Sequence, residues 1–157
     1  MIHQRNMIFF LTAVLVTITD QLTKTWVQSY AEGYTIFRTE FFQFAHSRNT
    51  GAAFGLFQDH SFVLAIVALF ATFTILLFTL FFWHQLSIFG NTLGRTALGL
   101  MLGGTIGNLI DRLRFGSVTD FIDFRVWPSF NVADAAITVG AILFAYSLAF
   151  STRAEKH

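Results

Sequence analysis

The sequence contains no cysteine, which excludes disulfide bonds, thiolate zinc sites, iron–sulfur clusters and a cysteine nucleophile. Charged residues are also scarce, at 12% of the chain, whereas soluble proteins contain roughly 25%. The net charge of +1 provides no basic field for binding nucleic acid. The single proline is compatible with a chain that is mostly helical.

Apolar residues dominate what remains. They make up 54% of the 157 residues, and phenylalanine alone occurs 21 times. A soluble domain of this size cannot bury so much apolar surface, and exposing it to water causes aggregation. A lipid bilayer removes this problem. The composition therefore predicts one integral membrane domain that covers residues 1–157.

Four segments have about the ~20 mostly apolar residues that a membrane-spanning helix needs. They lie at approximately 7–27, 61–83, 94–110 and 132–150. The first segment lacks an A-x-A-like cleavage site, and we interpret it as a retained span and not as a signal peptide. An even number of spans places both termini on one side and both long loops, about 28–60 and 111–131, on the other. The arginines and lysines outside the spans number four against five on the two sides and do not decide the orientation.

The two long loops contain segments rich in aromatic and β-branched residues, Tyr34–His46 and Ser117–Trp127. This composition is typical of short strands, here lying at the membrane interface. The predicted fold is thus an all-α membrane protein of four transmembrane helices, with a small β-rich element formed by the two loops.

The polar residues of the segments gather on the side of the long loops, and we expect no comparable cluster at the opposite ends. Ionisable groups at membrane depth are costly, so they are usually paired or functional. Asp20 and Lys24 end the first segment at i, i+4 spacing, which favours a structural ion pair. Asn108, Asp111 and Arg112 share one face of the third segment. They could form helix packing and an ion pair at the end of the helix, or Asn108 and Arg112 could hold the carbonyls of an extended peptide.

Glycines repeat at every fourth position of the third segment, at Gly99, Gly103 and Gly107. This spacing lets a neighbouring helix approach closely. We therefore interpret these glycines as a packing surface.

Three further acids follow in the second loop and the fourth segment. Asn131 and Asp134 have the spacing of a helix N-cap and its N3 residue, so capping alone could explain both. In a strand, Asp120 would be the only charge on an apolar face that continues to Val126, whereas Asp123 would lie beside Arg125 on a polar face. Apolar surroundings favour the neutral form of an acid, which makes Asp120 the better candidate for chemistry.

Four sequence blocks resemble the lipoprotein signal peptidases, also called signal peptidase II. The blocks are DQLTK at Asp20–Lys24, NTGAAFG at Asn49–Gly55, GGTIGNLIDRLRFGSVTDFIDF at Gly103–Phe124 and FNVADAAI at Phe130–Ile137. They occur in the family's order and cover nearly the whole chain.

The resemblance implies a four-helix protease of the bacterial inner membrane with cytoplasmic termini and an active site near the outer leaflet, where it faces the periplasm. The substrates would be prolipoproteins that carry diacylglycerol on a cysteine, cleaved just before that cysteine. Membrane lipids would be further partners, with no cofactor, metal or nucleic acid.

The resemblance also implies roles for individual residues. The catalytic pair would be Asp120 and Asp134. The substrate-binding residues would be Asn49, Asn108, Arg112 and Asn131. Structural support would come from Asp20, Lys24, Gly51 and Asp111.

Other classes of function fit less well. The five histidines show no H-E-x-x-H spacing for zinc, and no G-x-S-x-G nucleophile motif is present. The remaining alternative is a small proton-coupled channel or transporter that uses aspartates as a relay. Such a relay predicts acids along the whole depth of the bundle, whereas these acids gather at one end.

Overall fold

The computed structural model describes residues 2–52, 56–82 and 91–154. The helices are α1 (Ile2–Gln28), α2 (Ser61–Leu77), α3 (Thr92–Phe115) and α4 (Val132–Ala154), and α2 continues into a π-helical turn at Phe78–Phe82. The strands are β1 (Thr35–Arg38), β2 (Gln43–Asn49) and β3 (Val118–Asp123). The mostly helical fold with a small sheet from the two loops is confirmed. The predicted end of the second segment at residue 83 lies outside the described residues.

Three of the helices are long and apolar enough to cross a membrane. They are Met7–Gln28, Ser61–Phe81 and Val132–Ala149. Their large apolar side chains point outward, and Phe62 and Phe70 of α2 are 77% and 74% exposed. Outward-facing phenylalanine at this density is expected of a lipid-facing surface.

The helix α3 differs from the other three because it packs against all of them. Twelve of its 24 residues are buried. A helix surrounded by protein does not need an apolar surface on every side, and α3 accordingly carries polar and glycine residues that lower its hydropathy. The structure therefore has three candidate spans and one helix packed among them, so the expected count of four spans is not confirmed.

The close packing of α1 on α3 depends on the predicted glycines. A Cβ atom at Gly103 would lie 2.8 Å from the Cβ of Val16, and Gly99 lies equally close to α1 one turn earlier. At Gly107 an added Cβ would meet the carboxylate of Asp20. The glycine stripe is thus a packing surface, and its last member brings the polar end of α1 against α3.

The C-terminal end of α1 lies close to the N-terminal end of α4 and to the sheet. The carboxylate of Asp20, late in α1, contacts the first turn of α4 at Ala133. Gln28, at the end of α1, donates to the hydroxyl of Thr119 on β3. The C-terminal ends of α1 and α3, the N-terminal end of α4 and the sheet therefore lie at the same end of the bundle.

The sheet has the order β1-β2-β3 with antiparallel neighbours. The region predicted as one strand, Tyr34–His46, contains β1, a turn and most of β2. In the central pairing Ser47 faces Asp120 and Asn49 faces Val118. The register therefore sets Asn49 next to the acid that the sequence singled out.

The strand β3 is shorter than predicted. It ends at Asp123, and Arg125 has a left-handed φ of 62°. The chain then turns back so that Phe130 pairs with Ile122. The apolar face predicted to run on to Val126 is therefore wrong, since Val126 is 93% exposed beyond the strand.

Candidate functional site

The N-terminus of α4 begins with a reciprocal cap. The side-chain oxygen of Asn131 accepts a hydrogen bond from the backbone N–H of Asp134 at 3.0 Å. The carboxylate of Asp134 in turn accepts from the backbone N–H of Asn131 at 3.3 Å. The predicted capping interaction is confirmed, but it uses only part of the hydrogen-bonding capacity of both side chains.

The remaining hydrogens of Asn131 connect the cap to β3. Its Nδ2 atom donates to Asp120 Oδ1 at 2.7 Å, so one asparagine contacts both acids. Asn49 Nδ2 donates to the other oxygen of Asp120 at 3.0 Å. Asn108 Nδ2 donates to Asp134 Oδ1 at 2.7 Å. Three asparagines from β2, α3 and α4 therefore hold the two carboxyl groups side by side.

Asp120 is buried, with only 1% of its surface exposed. The pKa of this carboxyl group is raised from 3.8 to about 7, first by burial and second by the nearby charge of Asp134. The hydrogen bonds from Asn49 and Asn131 oppose this rise because they stabilise the ionised form. An acid with a neutral-range pKa beside a second acid can share one proton with it.

A buried lysine lies behind the two acids. Lys24 Nζ is 2.8 Å from Asp20 and 3.7 Å from Asp111, and it donates to Asn108 Oδ1 at 2.8 Å. The predicted Asp20–Lys24 ion pair is confirmed, and Asp111 joins it. None of the three ionic side chains is more than 1% exposed.

The acids that pair with Lys24 also hold the backbone beside the catalytic candidates. Asp20 Oδ1 accepts from the backbone N–H of Ala133 at 2.9 Å, one residue before Asp134. Asp111 Oδ2 accepts from the backbone N–H of Thr119 at 2.9 Å, one residue before Asp120. The ionic cluster thus fastens both elements that carry the two acids.

A tight turn after β2 joins the site through Gly51. Its N–H donates to Asn49 Oδ1 at 2.9 Å, and its carbonyl accepts from Arg112 Nη2 at 3.1 Å. An added Cβ at Gly51 would lie 2.7 Å from the carbonyl oxygen of Leu56, so only glycine fits here. These contacts fix the Asn49 amide with its nitrogen toward Asp120.

A cavity of about 560 Å³ opens beside the acids. Its polar wall contains Asn49, Asn108, Arg112 and Asp134. Its apolar wall includes Trp127 and, on α4, Ile137 and Val139. Asp120 and Asn131 lie immediately behind the polar wall, so of the two acids only Asp134 reaches the cavity surface.

Several polar residues near the acids carry no signal in the sequence. Ser47 Oγ donates to the backbone carbonyl of Asp120 at 3.0 Å and lies 3.1 Å from the hydroxyl of Ser129. Gln21 bridges α1 to Asp111 at 3.3 Å. These contacts depend on strand register and helix packing, which spacing in one segment does not reveal.

The opposite end of the bundle is less apolar than predicted. Arg95 is only 3% exposed there, and Asn91 Nδ2 donates to the buried hydroxyl of Ser147 at 3.0 Å. These buried polar residues at the opposite end are not predicted from the sequence. The acids among the described residues nevertheless all belong to the site end or to the loops on its side.

The neighbouring acid Asp123 tests whether Asp120 is the acid on β3 that takes part in chemistry. One of its oxygens accepts from Gln43 and the other from the backbone N–H of Arg125, each at 2.6 Å, so it is tied to the turn and not to Asp134. We expect Asp123→Asn to retain kcat within about threefold, with a stability loss of about 1 kcal/mol. Measuring kcat and Tm of this variant checks both values, and a loss of activity by two orders of magnitude would contradict the assignment.

Comparisons with known proteins agree with this architecture. The profile described as Signal peptidase (SPase) II matches residues 12–150. The chain is 43% identical over 140 residues to a lipoprotein signal peptidase of Dehalococcoides mccartyi, covering 88% of this chain and 86% of that protein. It is 39% identical over 151 residues to a lipoprotein signal peptidase of Shouchella clausii, covering 94% and 96%.

The fold is similar to that of a bacterial membrane enzyme whose structure was solved by the in meso method at 2.3 Å resolution. The superposition has a TM-score of 0.81 and 30% identity and covers 92% of this chain and 88% of that one. The sequence matches and the structural match each cover most of the chain. The chain therefore belongs to the signal peptidase II family.

Proposed function

We propose that this bacterial membrane protein is an aspartyl endopeptidase that removes signal peptides from diacylglyceryl-modified prolipoproteins, cleaving before the lipidated cysteine. Membership of the signal peptidase II family supports a protease that processes prolipoproteins. One observation carries the aspartyl mechanism: the carboxyl groups of Asp120 and Asp134, from separate elements, both accept hydrogen bonds from Asn131 beside a cavity, Asp120 from its side-chain Nδ2 and Asp134 from its backbone N–H. The direct test is to incubate the purified protein with a lipidated precursor peptide and to read the mass of the products.

The proposed chemistry needs one proton on the pair of acids. The ionised carboxylate takes a proton from a water molecule, whose oxygen then attacks the scissile carbonyl carbon. The protonated carboxyl group gives its proton to the carbonyl oxygen. When the tetrahedral intermediate collapses, the C–N bond breaks and the leaving amine receives a proton from the pair. A hydroxyl group of the intermediate returns a proton to the pair as the new carboxyl group forms. No nucleophilic side chain and no metal are required.

The cavity offers groups that suit an extended peptide. Arg112 and the amides of Asn49 and Asn108 line it, and such groups can donate to peptide carbonyls. Asn131, by contrast, is fully buried, and its side-chain amide donates to Asp120 and accepts from the backbone N–H of Asp134. We therefore propose that Asn131 supports the acids, while the other three contact the substrate.

We propose that all four helices cross the inner membrane. At 1.5 Å per residue the 24 residues of α3 measure about 36 Å, which exceeds the ~30 Å of a bilayer core. Four spans put both termini on one side, which we assign to the cytoplasm, and put the acids near the outer leaflet. Membrane lipids then surround α1, α2 and α4.

The proposed activity uses no metal, cofactor or nucleic acid, and these absences stay predictions. Within residues 2–52, 56–82 and 91–154, no three His, Asp or Glu side chains are grouped as metal ligands. The alternative of a proton-coupled channel is less well supported, because it needs acids along the bundle and the described acids lie toward one end.

The pH dependence of cleavage should reflect the raised pKa of Asp120, at about 7. Below this pH the pair retains a proton, and as the pH rises through it both carboxyl groups become ionised and the acid is lost. We expect kcat to fall about tenfold for each unit of pH well above 7. A pH profile of kcat between 5 and 9 with lipidated peptide checks this. A kcat that stays constant up to pH 9 would contradict it.

The same raised pKa predicts how pH changes stability. Between its usual value of 3.8 and about 7, Asp120 binds more protons in the folded chain than in the unfolded chain. Its contribution to the free energy of unfolding is therefore largest at low pH and is lost as pH rises through about 7.

A further inference from the structure

We propose that the shared proton resides on Asp120, that ionised Asp134 is the base, and that Lys24 is the positioning residue that fixes this arrangement by orienting the amide of Asn108. This inference rests on the proposed function and deepens it, because it assigns a separate role to each acid. It also gives Lys24, at the end of α1, a role beyond its ion pair.

The orientation of the Asn108 amide follows from its neighbours. Its Oδ1 atom accepts from Lys24 Nζ at 2.8 Å and from Asn131 Nδ2 at 3.1 Å, while its Nδ2 atom faces Asp134. A flipped amide would set its NH2 group against the ammonium of Lys24, with donor facing donor. It would also set its oxygen against the carboxylate of Asp134. Lys24 therefore favours the orientation that offers an N–H to Asp134.

Asn131 alone cannot hold this orientation firmly. Its Nδ2 atom has two hydrogens, yet it lies within hydrogen-bond distance of three oxygens, on Asp120, Asn108 and Thr119. The strongest of these contacts, at 2.7 Å, goes to Asp120. The ammonium of Lys24 has three hydrogens and supplies the donor that Asn131 has little capacity to provide.

The carboxyl group of Asp134 is surrounded by hydrogen-bond donors at a helix N-terminus. The Asn108 amide and the backbone N–H of Asn131 donate to its two oxygens. It also occupies the third position of α4, where unpaired backbone N–H groups and the helix dipole favour a negative charge. The carboxyl group lines the cavity, so a water molecule can reach it.

The surroundings of Asp120 favour the protonated form of its carboxyl group. Asp120 also accepts two amide hydrogen bonds, but it lies on a strand without a helix terminus and does not line the cavity. Burial disfavours a charge there, and a second charge next to ionised Asp134 is disfavoured further. The two acids therefore differ in two ways. Asp134 lies at a helix N-terminus and lines the cavity, whereas Asp120 lies on a strand and does not.

Lys24 contacts the pair through the Asn108 amide, and its charge is the smallest of the influences on the pKa of Asp120, which it lowers. Asp20 and Asp111 both contact the ammonium, so the three ionised groups together carry no positive charge. The charged groups that face the pair are Asp20 and Lys24 from α1 and Asp111 and Arg112 from α3. Of these, only Lys24 donates to Asn108.

The first experiment locates the proton. The chain has six aspartates, so labelling them with ¹³C at the carboxyl carbon gives six resonances, and their absence from Asp120→Asn or Asp134→Asn assigns two of them. In wild-type protein at pH 6 we expect the Asp120 signal at the position of a protonated carboxyl group and the Asp134 signal at that of a carboxylate. If wild-type protein shows a protonated Asp134 and an ionised Asp120 instead, this inference is overturned. The proposed function still stands in that case, provided that Asp120→Asn and Asp134→Asn have both lost activity.

The second experiment tests Lys24. Asp20→Asn/Lys24→Met removes the ammonium together with one opposing charge, which limits the unpaired charge left inside. We expect the Asp134 signal to move toward the protonated position, and kcat to fall at least about tenfold with KM within about twofold. The matched control is Gln28→Met, which removes another α1 donor, to Thr119, without touching Asn108, and should change neither readout.

Asn108→Ala removes the amide that connects Lys24 to Asp134, while Lys24 keeps its ion pairs with Asp20 and Asp111. This variant replaces the double variant if the double variant does not fold. It should move the Asp134 signal in the same direction. A carboxylate-like Asp134 signal in either folded variant would show that Lys24 does not control the proton through Asn108. Retention of activity by Asp120→Asn or Asp134→Asn would instead refute the proposed function.

Discussion

Asp120→Asn and Asp134→Asn are each expected to lower kcat by about a thousandfold, because each removes one partner in proton transfer. Asparagine has nearly the same shape as aspartate and keeps one acceptor oxygen for the surrounding amides. It can neither hold nor release the proton. The measurement is single-turnover cleavage of lipidated peptide in detergent, with Tm recorded for each variant.

The stability of these variants separates chemistry from folding. At position 120, asparagine removes the cost of burying a second acid next to Asp134, so we expect Tm at or above the wild-type value at pH 8. The matched control is Asp123→Asn, the same replacement three residues along the strand. The double variant should be no slower than either single variant, because residues that act as a unit are not additive. Near wild-type turnover in either single variant would refute the proposal that Asp120 and Asp134 form the catalytic pair.

The sequence predicts the apolar helices well because these helices face lipid. Their outward residues must be apolar around most of the circumference, which leaves long runs such as residues 61–81. The prediction is poorer for the end of α3. The sequence predicts a loop from residue 111, whereas the last turns of the helix contain Asp111, Arg112 and Arg114. The helix continues through them because Lys24 and Gly51 pair with the first two, and it ends at Gly116 with a φ of 69°.

Asp120 was singled out by a pattern that the structure only partly supports. The predicted apolar face ends at Asp123, and the neighbours Thr119 and Phe121 are as buried as Asp120 itself. The carboxyl group is distinguished by its neighbours on β2 and α4 more than by alternation along β3. A pattern within one strand cannot reveal them, since Asn49 is 71 residues away in the chain.

The supporting contacts were beyond prediction for a related reason. Asp20 and Asp111 each bind a backbone N–H, at Ala133 and Thr119, and any residue except proline has such a group. Sequence spacing therefore cannot identify these acceptors. The ion pair with Lys24 was predictable because i, i+4 residues share a helix face.

Removing the diacylglycerol from the substrate cysteine is expected to lower kcat/KM by at least about a hundredfold. Burying acyl chains contributes ~0.8 kcal/mol per CH2, so about four CH2 groups held by the protein account for this factor. The cavity has a polar wall and an apolar wall, which suit the peptide and the acyl chains of such a substrate. Asp134 lines its polar wall, and Ile137 and Val139 extend the apolar wall along the same helix.

The lipid should affect the chemical step as well as binding. In the proposed complex, a peptide anchored by its acyl chains along α4 would present the bond before its cysteine to Asp134 at a fixed depth, whereas an unlipidated peptide would have no such anchor. Loss of positioning lowers kcat, because binding energy from remote groups is used to align the reacting atoms. The measurement compares one precursor peptide with and without diacylglycerol in the same detergent, with Asp134→Asn as the inactive control. Equal kcat/KM for the two peptides would show that the site does not recognise the lipid, and the assignment to lipidated substrates would then fail even if both aspartates proved catalytic.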